Sequence, residues 1–200
     1  MESSQPQNLE SLRPGILNCT LCGLARTRNH VIFGEGNPNA GIMLIGEAPG
    51  RDEDIQGRPF VGLSGQLLDK ILAACGFTRN EHVFISNIVK CRPPGNRLPS
   101  TDEASLCMPW LLRQIEIINP KIMILLGATA LKYMAGSDYR IKKDHGKWIS
   151  ISDRLAIPVY HPAALLRDPS LKRDTWEDFK IIFHKYRELV DPDHHSPYIT

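Results

Sequence analysis

The sequence predicts an α/β fold, a parallel sheet with helices on both faces. Four short apolar runs carry that expectation: Ile42–Ile45, Val83–Ser86, Ile122–Leu126 and Ala156–Tyr160. Each is rich in Ile, Val or Leu and bounded by Gly, Pro or Asn, the pattern of a fully buried strand. Segments of helical periodicity lie between them. Strands alternating with helices build a parallel sheet covered on both sides.

Taken in order, the chain opens with a polar stretch from Met1 to about Pro14 that reads as a loose N-terminus. After the first strand, Ser64–Gly76 places Leu67, Leu68, Ile71, Leu72 and Cys75 on one helical face, with Gly76 as its stop. Ser100-Thr101-Asp102-Glu103 caps a second helix running to about Ile118. Ala128–Met134 is a third helix, and Trp176–Leu189 is a terminal amphipathic one. Trp148–Ile151 fits a minor edge strand. Asp191–Thr200 reads as a flexible tail, which leaves one domain over 15–190. No internal repeat or low-complexity segment interrupts it.

A chain of 200 residues suits one domain and can bury about 70% of its unfolded surface, so it needs no disulfides to fold. No apolar run approaches the roughly 20 residues of a membrane span. Met1–Glu10 lacks the basic start and apolar stretch of a signal peptide, so a cytoplasmic protein is expected. The net charge of +2 identifies no partner. Its distribution says more: Lys90, Arg92 and Arg97 fall in an acid-free stretch, and Lys132, Arg140, Lys142, Lys143 and Lys147 outnumber the acids around them. One basic face is compatible with that pattern, as are ordinary solvated loops.

Five cysteines, an odd count with no secretory signal, argue against structural disulfides and for metal binding. Cys19-Thr-Leu-Cys22 is a CxxC pair; Cys91 follows after 68 intervening residues and Cys107 after 15 more. Spacing alone leaves an iron–sulfur cluster and zinc about even, with unliganded core cysteines close behind. Cys75 lies on the apolar face of a helix and reads as a packing residue.

In a parallel sheet, ligands bind beyond the carboxyl ends of the strands. The residues there are Gly46-Glu47-Ala48-Pro49-Gly50, then Asn87, then Gly127-Ala128-Thr129, then His161-Pro162. A carboxylate, a carboxamide and an imidazole thus gather around one crevice. Phe60, held in Gly57-Arg-Pro-Phe-Val-Gly62, offers a rigid π-face on which a planar base can stack. The Asn87 amide offers a donor and an acceptor together. Each residue alone also fits an ordinary role: Phe60 in the core, Asn87 in a turn, His161 as a structural histidine. Gly34-Glu-Gly36 is no phosphate-binding fingerprint, because it precedes the strand and lacks a third glycine.

Cys19-Thr-Leu-Cys22, GEAPGRDEDIQGRPFVG from Gly46 to Gly62, NIVKCRPPGNR from Asn87 to Arg97, Cys107, and HPAALLR from His161 to Arg167 occur in that order. Together they resemble the family 4 uracil-DNA glycosylases, the iron–sulfur enzymes of bacteria and archaea, from about Cys19 to Leu189. The resemblance implies a three-layer α/β/α fold with a central four-stranded parallel sheet, and a [4Fe-4S] cluster on Cys19, Cys22, Cys91 and Cys107. It implies a monomer that excises uracil from single- or double-stranded DNA in base excision repair. By that resemblance Gly46, Glu47, Ala48, Phe60, Asn87 and His161 form the uracil pocket, with His161 catalytic. Arg92, Arg97, Leu165, Leu166 and Arg167 are expected on DNA. Family 1 relatives carry a water-positioning aspartate where this chain has Ala48, so Glu47 is the candidate for that task. The basic, histidine-containing insertion of a covalently uracil-DNA-linked group is missing between Asn87 and Cys107, which favours ordinary turnover. Two other readings remain at this stage: a non-catalytic or covalent uracil-DNA binding module, and a nucleotide-binding α/β enzyme that carries zinc.

Overall fold

A computed structural model describes residues 8–199. Among them, six strands form one sheet: β1 (Glu35–Gly36), β2 (Ile42–Gly46), β3 (Val83–Asn87), β4 (Ile122–Leu126), β5 (Ile149–Ile151) and β6 (Arg154–Val159). Their spatial order is β1-β3-β2-β4-β6-β5. The four central strands are parallel and are the four apolar runs of the sequence. The expected four-stranded sheet is therefore extended by an antiparallel strand at each edge. β5 is the foreseen edge strand; β1 is only two residues long and carries no apolar signal.

The α-helices among the described residues are α1 (Leu9–Leu17), α2 (Arg51–Gln56), α3 (Leu63–Ala74), α4 (Thr101–Ile118), α5 (Gly127–Ala135), α6 (Ile141–Asp144), α7 (Pro162–Arg167) and α8 (Leu171–Leu189). Successive residues of a strand point to opposite faces, so one run of apolar residues serves two cores. Met43, Ile45, Met123 and Leu125 pack under α1, α4 and α5. Ile42, Leu44, Ile124 and Ile157 pack under α3 and α8. The result is the three-layer α/β/α architecture.

Both ends correct the sequence expectation. The segment expected to be loose up to Pro14 is helical from Leu9, capped by Asn8, with Leu9, Leu12 and Ile16 buried. Pro14-Gly15 reads as a breaker, but Pro14 sits inside α1 and tertiary packing outweighs its missing N–H. Met1–Gln7 lie outside the described residues. The tail beyond Asp191 also packs: His194 is buried, its Nε2 lies 2.9 Å from the Cys75 carbonyl oxygen, and Ser196 Oγ donates to Ala74 O.

Candidate active site and cysteine site

The carboxyl ends of the parallel strands open into a crevice of about 1020 Å³. Register builds its floor, since Gly46 and Asn87 are direct partners across β2 and β3. The backbone beyond them stays zipped: Ile88 N–H donates to Gly46 O at 2.9 Å and Val89 N–H to Glu47 O at 3.1 Å. Glu47, Ala48, Phe60, Asn87 and His161 all line the crevice, so the structure brings the scattered motifs together.

Gly46 is small for a reason. A β-carbon there would stand 2.3 Å from Asn87 Oδ1 and 2.8 Å from Phe60 Cζ. The phenyl ring and the amide thus close on the same glycine. Asn87 is 2% exposed, and its Oδ1 has no hydrogen-bond partner among the described residues. A buried acceptor left unpaired costs about 1–3 kcal/mol, so it marks a place prepared for a ligand donor.

Phe60 is buried and takes a left-handed backbone, φ 52°, which a bulky residue adopts only under constraint. Its loop is held by Glu53, whose Oε1 accepts from Val61 N–H (2.9 Å) and Gly62 N–H (3.0 Å). The other oxygen of Glu53 accepts from Gly50 N–H at 3.1 Å, tying the Phe60 loop to the GEAPG turn. Glu53 gives no motif signal beyond its place in an acidic helix, and the sequence reading missed it.

His161 caps α7, with Ala163 N–H donating to Nδ1 at 3.1 Å. The proton of the neutral ring therefore sits on Nε2. Burial, joined by the nearby Arg167 guanidinium and opposed by Glu53, pushes the imidazole down to about 4. At neutral pH it is an uncharged donor. The His161 ring lies 5.6 Å from that of Phe60, centroid to centroid. Gly127, at φ +89°, permits this approach, because a β-carbon would meet His161 Cβ at 2.9 Å. Across the crevice, Thr129 Oγ1 donates to Glu47 Oε2 from the first turn of α5.

The expected DNA contacts divide. Leu166 is exposed at the crevice mouth beside Arg167, whereas Leu165 is 1% exposed and belongs to the core beneath α7. Leu165 therefore cannot enter DNA; the i, i+1 pair on a helix points two ways. Arg97 also lines the crevice but is engaged by Glu103, in two bonds of 2.8 and 2.7 Å. Arg92 donates to Asn96 Oδ1 at 2.7 Å and lies off the crevice wall. Lys90, read from sequence as part of a basic loop, is buried at 1% exposure. Its ammonium donates to Ser86 Oγ (2.5 Å), Gln114 Oε1 (2.7 Å) and Asn87 O (3.0 Å), and burial pushes it down to about 8.

Behind that lysine, Cys19, Cys22, Cys91 and Cys107 line one apolar cavity, while Cys75 is fully buried in the opposite core. Among the described residues, no three His, Cys, Asp or Glu side chains converge as ligands of a metal ion. The surroundings nevertheless suit a group bearing negative charge. Arg28 Nη1 donates to Cys91 Sγ at 3.3 Å and Lys90 N–H to Cys107 Sγ at 3.3 Å. Trp110 lines the same cavity with its Nε1–H buried and without a partner among the described residues.

A crevice that sets a flat ring against an amide, at the carboxyl ends of a three-layer α/β/α sheet, has the shape and polarity to take a planar base. The chain belongs to the uracil DNA glycosylase superfamily, whose family model matches residues 33–180. Within it the similarity is to type-4 enzymes. The chain is 43% identical over 191 residues to the type-4 uracil-DNA glycosylase of Sulfurisphaera tokodaii, covering 92% of this chain and 85% of that one. It is 44% identical to the type-4 uracil-DNA glycosylase of Thermotoga maritima (86% and 91% covered) and 42% identical to that of Pyrobaculum aerophilum (88% and 93% covered). No helix among the described residues is long and apolar enough to cross a membrane.

Proposed function

We propose that this chain is a monofunctional uracil-DNA glycosylase that flips uracil out of single- or double-stranded DNA and hydrolyses its N-glycosidic bond. The observation that carries the reading is the buried, unpartnered Asn87 Oδ1 beside the Phe60 ring. Uracil stacked in a helix is unreachable, so it must be extruded, at a cost of a few kcal/mol. Leu166 is placed to fill the gap and Arg167 to grip phosphate. Phe60 stacks on the extruded base. Asn87 Oδ1 accepts from uracil N3–H while Nδ2 donates to O4. Cytosine presents the reverse pattern at these two positions and leaves buried polar groups unpaired, so it is rejected.

Bond cleavage puts positive charge on the sugar and negative charge on the departing uracil. His161, neutral with its proton on Nε2, donates to uracil O2 as that charge grows, assisted by backbone N–H groups of Gly46–Ala48. Glu47, held through one oxygen by Thr129, keeps the other for the attacking water.

The cysteine site is proposed to hold a [4Fe-4S] cluster on Cys19, Cys22, Cys91 and Cys107. Four cysteines lining one apolar cavity, with Arg28 and the Lys90 N–H donating to two of the sulfurs, suit a group that carries negative charge on its thiolates. The cluster's contribution is structural, since N-glycoside hydrolysis transfers no electrons. The protein is proposed to act in the cytoplasm, as a monomer, in base excision repair. The test is release of free uracil from an oligonucleotide containing one uracil. Repeated turnover with an abasic product is expected; a stable protein–DNA adduct without free uracil would make the chain a binding module instead.

A further inference from the structure

Phe60 is the bulky residue of the crevice lining that takes a left-handed backbone, at φ 52°. Behind it lies a second cavity of about 420 Å³, lined by Phe60, Val61, Asp69, Phe77 and Arg79 among others. Phe60 is thus a partition between two open spaces. Its carbonyl is pressed against the first turn of α3, where a β-carbon on Gly65 would stand 1.8 Å from Phe60 O. An unsupported loop in this state would relax toward negative φ and carry the ring away from Gly46.

One side chain spans the rear cavity. Arg79, 14% exposed at its side chain, donates from Nη1 to Pro59 O at 2.8 Å and from Nη2 to Phe60 O at 2.5 Å. Its Nε donates to Asp69 Oδ1 at 2.7 Å, and Glu35 lies 3.6 Å from Nη1. The planar fork is therefore aimed by carboxylates on one side and occupied by two consecutive carbonyls on the other. A lysine cannot reproduce that geometry.

We propose that Arg79 is a positioning residue for uracil recognition: it fixes the carbonyls of Pro59 and Phe60 so that the phenyl ring stays clamped over Gly46. The proposal rests on the reading that Phe60 stacks on uracil. Arg79 touches neither substrate nor the reacting atoms; it acts through the ring. Glu53 fixes the amide side of the same loop and Arg79 the carbonyl side, so the segment 59–62 is gripped from both ends.

The test is a double-mutant cycle on the whole protein, read by inhibition with free uracil and by single-turnover excision, with the melting temperature followed in parallel. Arg79→Met is expected to weaken uracil inhibition and excision by about 10- to 100-fold, the range for loss of a base-stacking contact. In a Phe60→Leu background the same change is expected to add less than about twofold, because sites acting through one group are not additive. Arg79→Lys should fall between wild type and Arg79→Met. Arg58→Gln, which removes the neighbouring ion pair with Glu35 but touches no carbonyl, should leave both readouts unchanged. An impaired Phe60→Leu with a wild-type Arg79→Met overturns the Arg79 role alone. A neutral Phe60→Leu overturns the stacking reading and this inference with it. A full Arg79→Met effect in the Phe60→Leu background, or an equal loss in Arg58→Gln, also overturns it. Should Arg79→Met fail to fold, Arg79→Lys carries the same cycle.

Discussion

Replacing Asn87 with alanine separates recognition from stability more sharply than any other single change. In the free protein Oδ1 is buried without a partner among the described residues, so its desolvation is already unfavourable by about 1–3 kcal/mol. Asn87→Ala removes that burden and leaves a small cavity of opposing effect. Stability is therefore expected to stay near wild type. Function should not. Two hydrogen bonds to uracil vanish and leave its polar edge unpaired, at about 1–3 kcal/mol each, so excision falls by about 30- to 10⁴-fold. The assay is single-turnover release of uracil from a labelled oligonucleotide, with thermal melting in parallel. An unchanged rate would refute the recognition role. A rate loss matched by an equally large fall in stability would refute the argument that the oxygen is held ready at the protein's expense.

Three further outcomes are expected. His161→Ala should slow excision by about 10²- to 10³-fold, the usual effect of losing one such donor. Because burial holds this imidazole near 4 and not at its ordinary 6.5, the unfolded chain binds the extra proton first as pH falls. Stability attributable to His161 therefore declines from about pH 6.5 to pH 4, while single-turnover excision shows no His161-dependent ionisation between pH 6 and 8; a step near 6.5 that vanishes in His161→Gln would contradict this. Leu166→Ala should impair excision from duplex DNA more than from single strands at unchanged melting temperature, whereas Leu165→Ala should lower stability by about 2–5 kcal/mol; equal behaviour of the two leucines would undo their separate assignment. With the proposed cluster bound, Lys90→Met should weaken uracil excision and alter the visible absorption of the purified protein together, and a change in neither would disconnect the lysine from both sites.

The legible part of this fold is the part written as unbroken apolar runs. Four apolar runs match the four parallel strands to within two residues at each end, the largest difference being β6, which starts at Arg154. What escaped was built by tertiary contact. α1 contains Pro14-Gly15 and forms because Leu9, Leu12 and Ile16 reach the core. α8 begins at Leu171, five residues before the apolar stripe announces it, in a polar first turn where Thr175 Oγ1 bonds back to Leu171 O. The crevice residues were legible as strand-end residues. Of their supports, Thr129 is legible only as a strand-end residue, and Glu53 and Arg79 carry no signal, because their bonds form only when the 59–62 segment folds back on them. Leu165 and Lys90 show the same limit from the other side: motif position gave chemistry to residues whose burial only packing could reveal.

The distance between the cysteines and the crevice is bridged by one short segment. Asn87 ends β3, Cys91 follows four residues later, and the residues between are bonded to both sides. Ile88 and Val89 donate to the GEAPG turn, Lys90 N–H donates to Cys107 Sγ, and the Lys90 ammonium returns to the Asn87 carbonyl. That ammonium has only neutral hydrogen-bond partners, Ser86, Asn87 and Gln114. A buried cation so placed needs negative charge nearby, and the sulfurs of Cys107 and Cys91 are what its surroundings offer. The thiolates of a filled cysteine site would satisfy the lysine, the lysine holds the carbonyl of Asn87, and Asn87 is the residue proposed to read the base. On the proposed reading, the cysteine site would act on specificity without approaching the glycosidic bond, and its loss is expected to be felt first as poorer recognition of uracil.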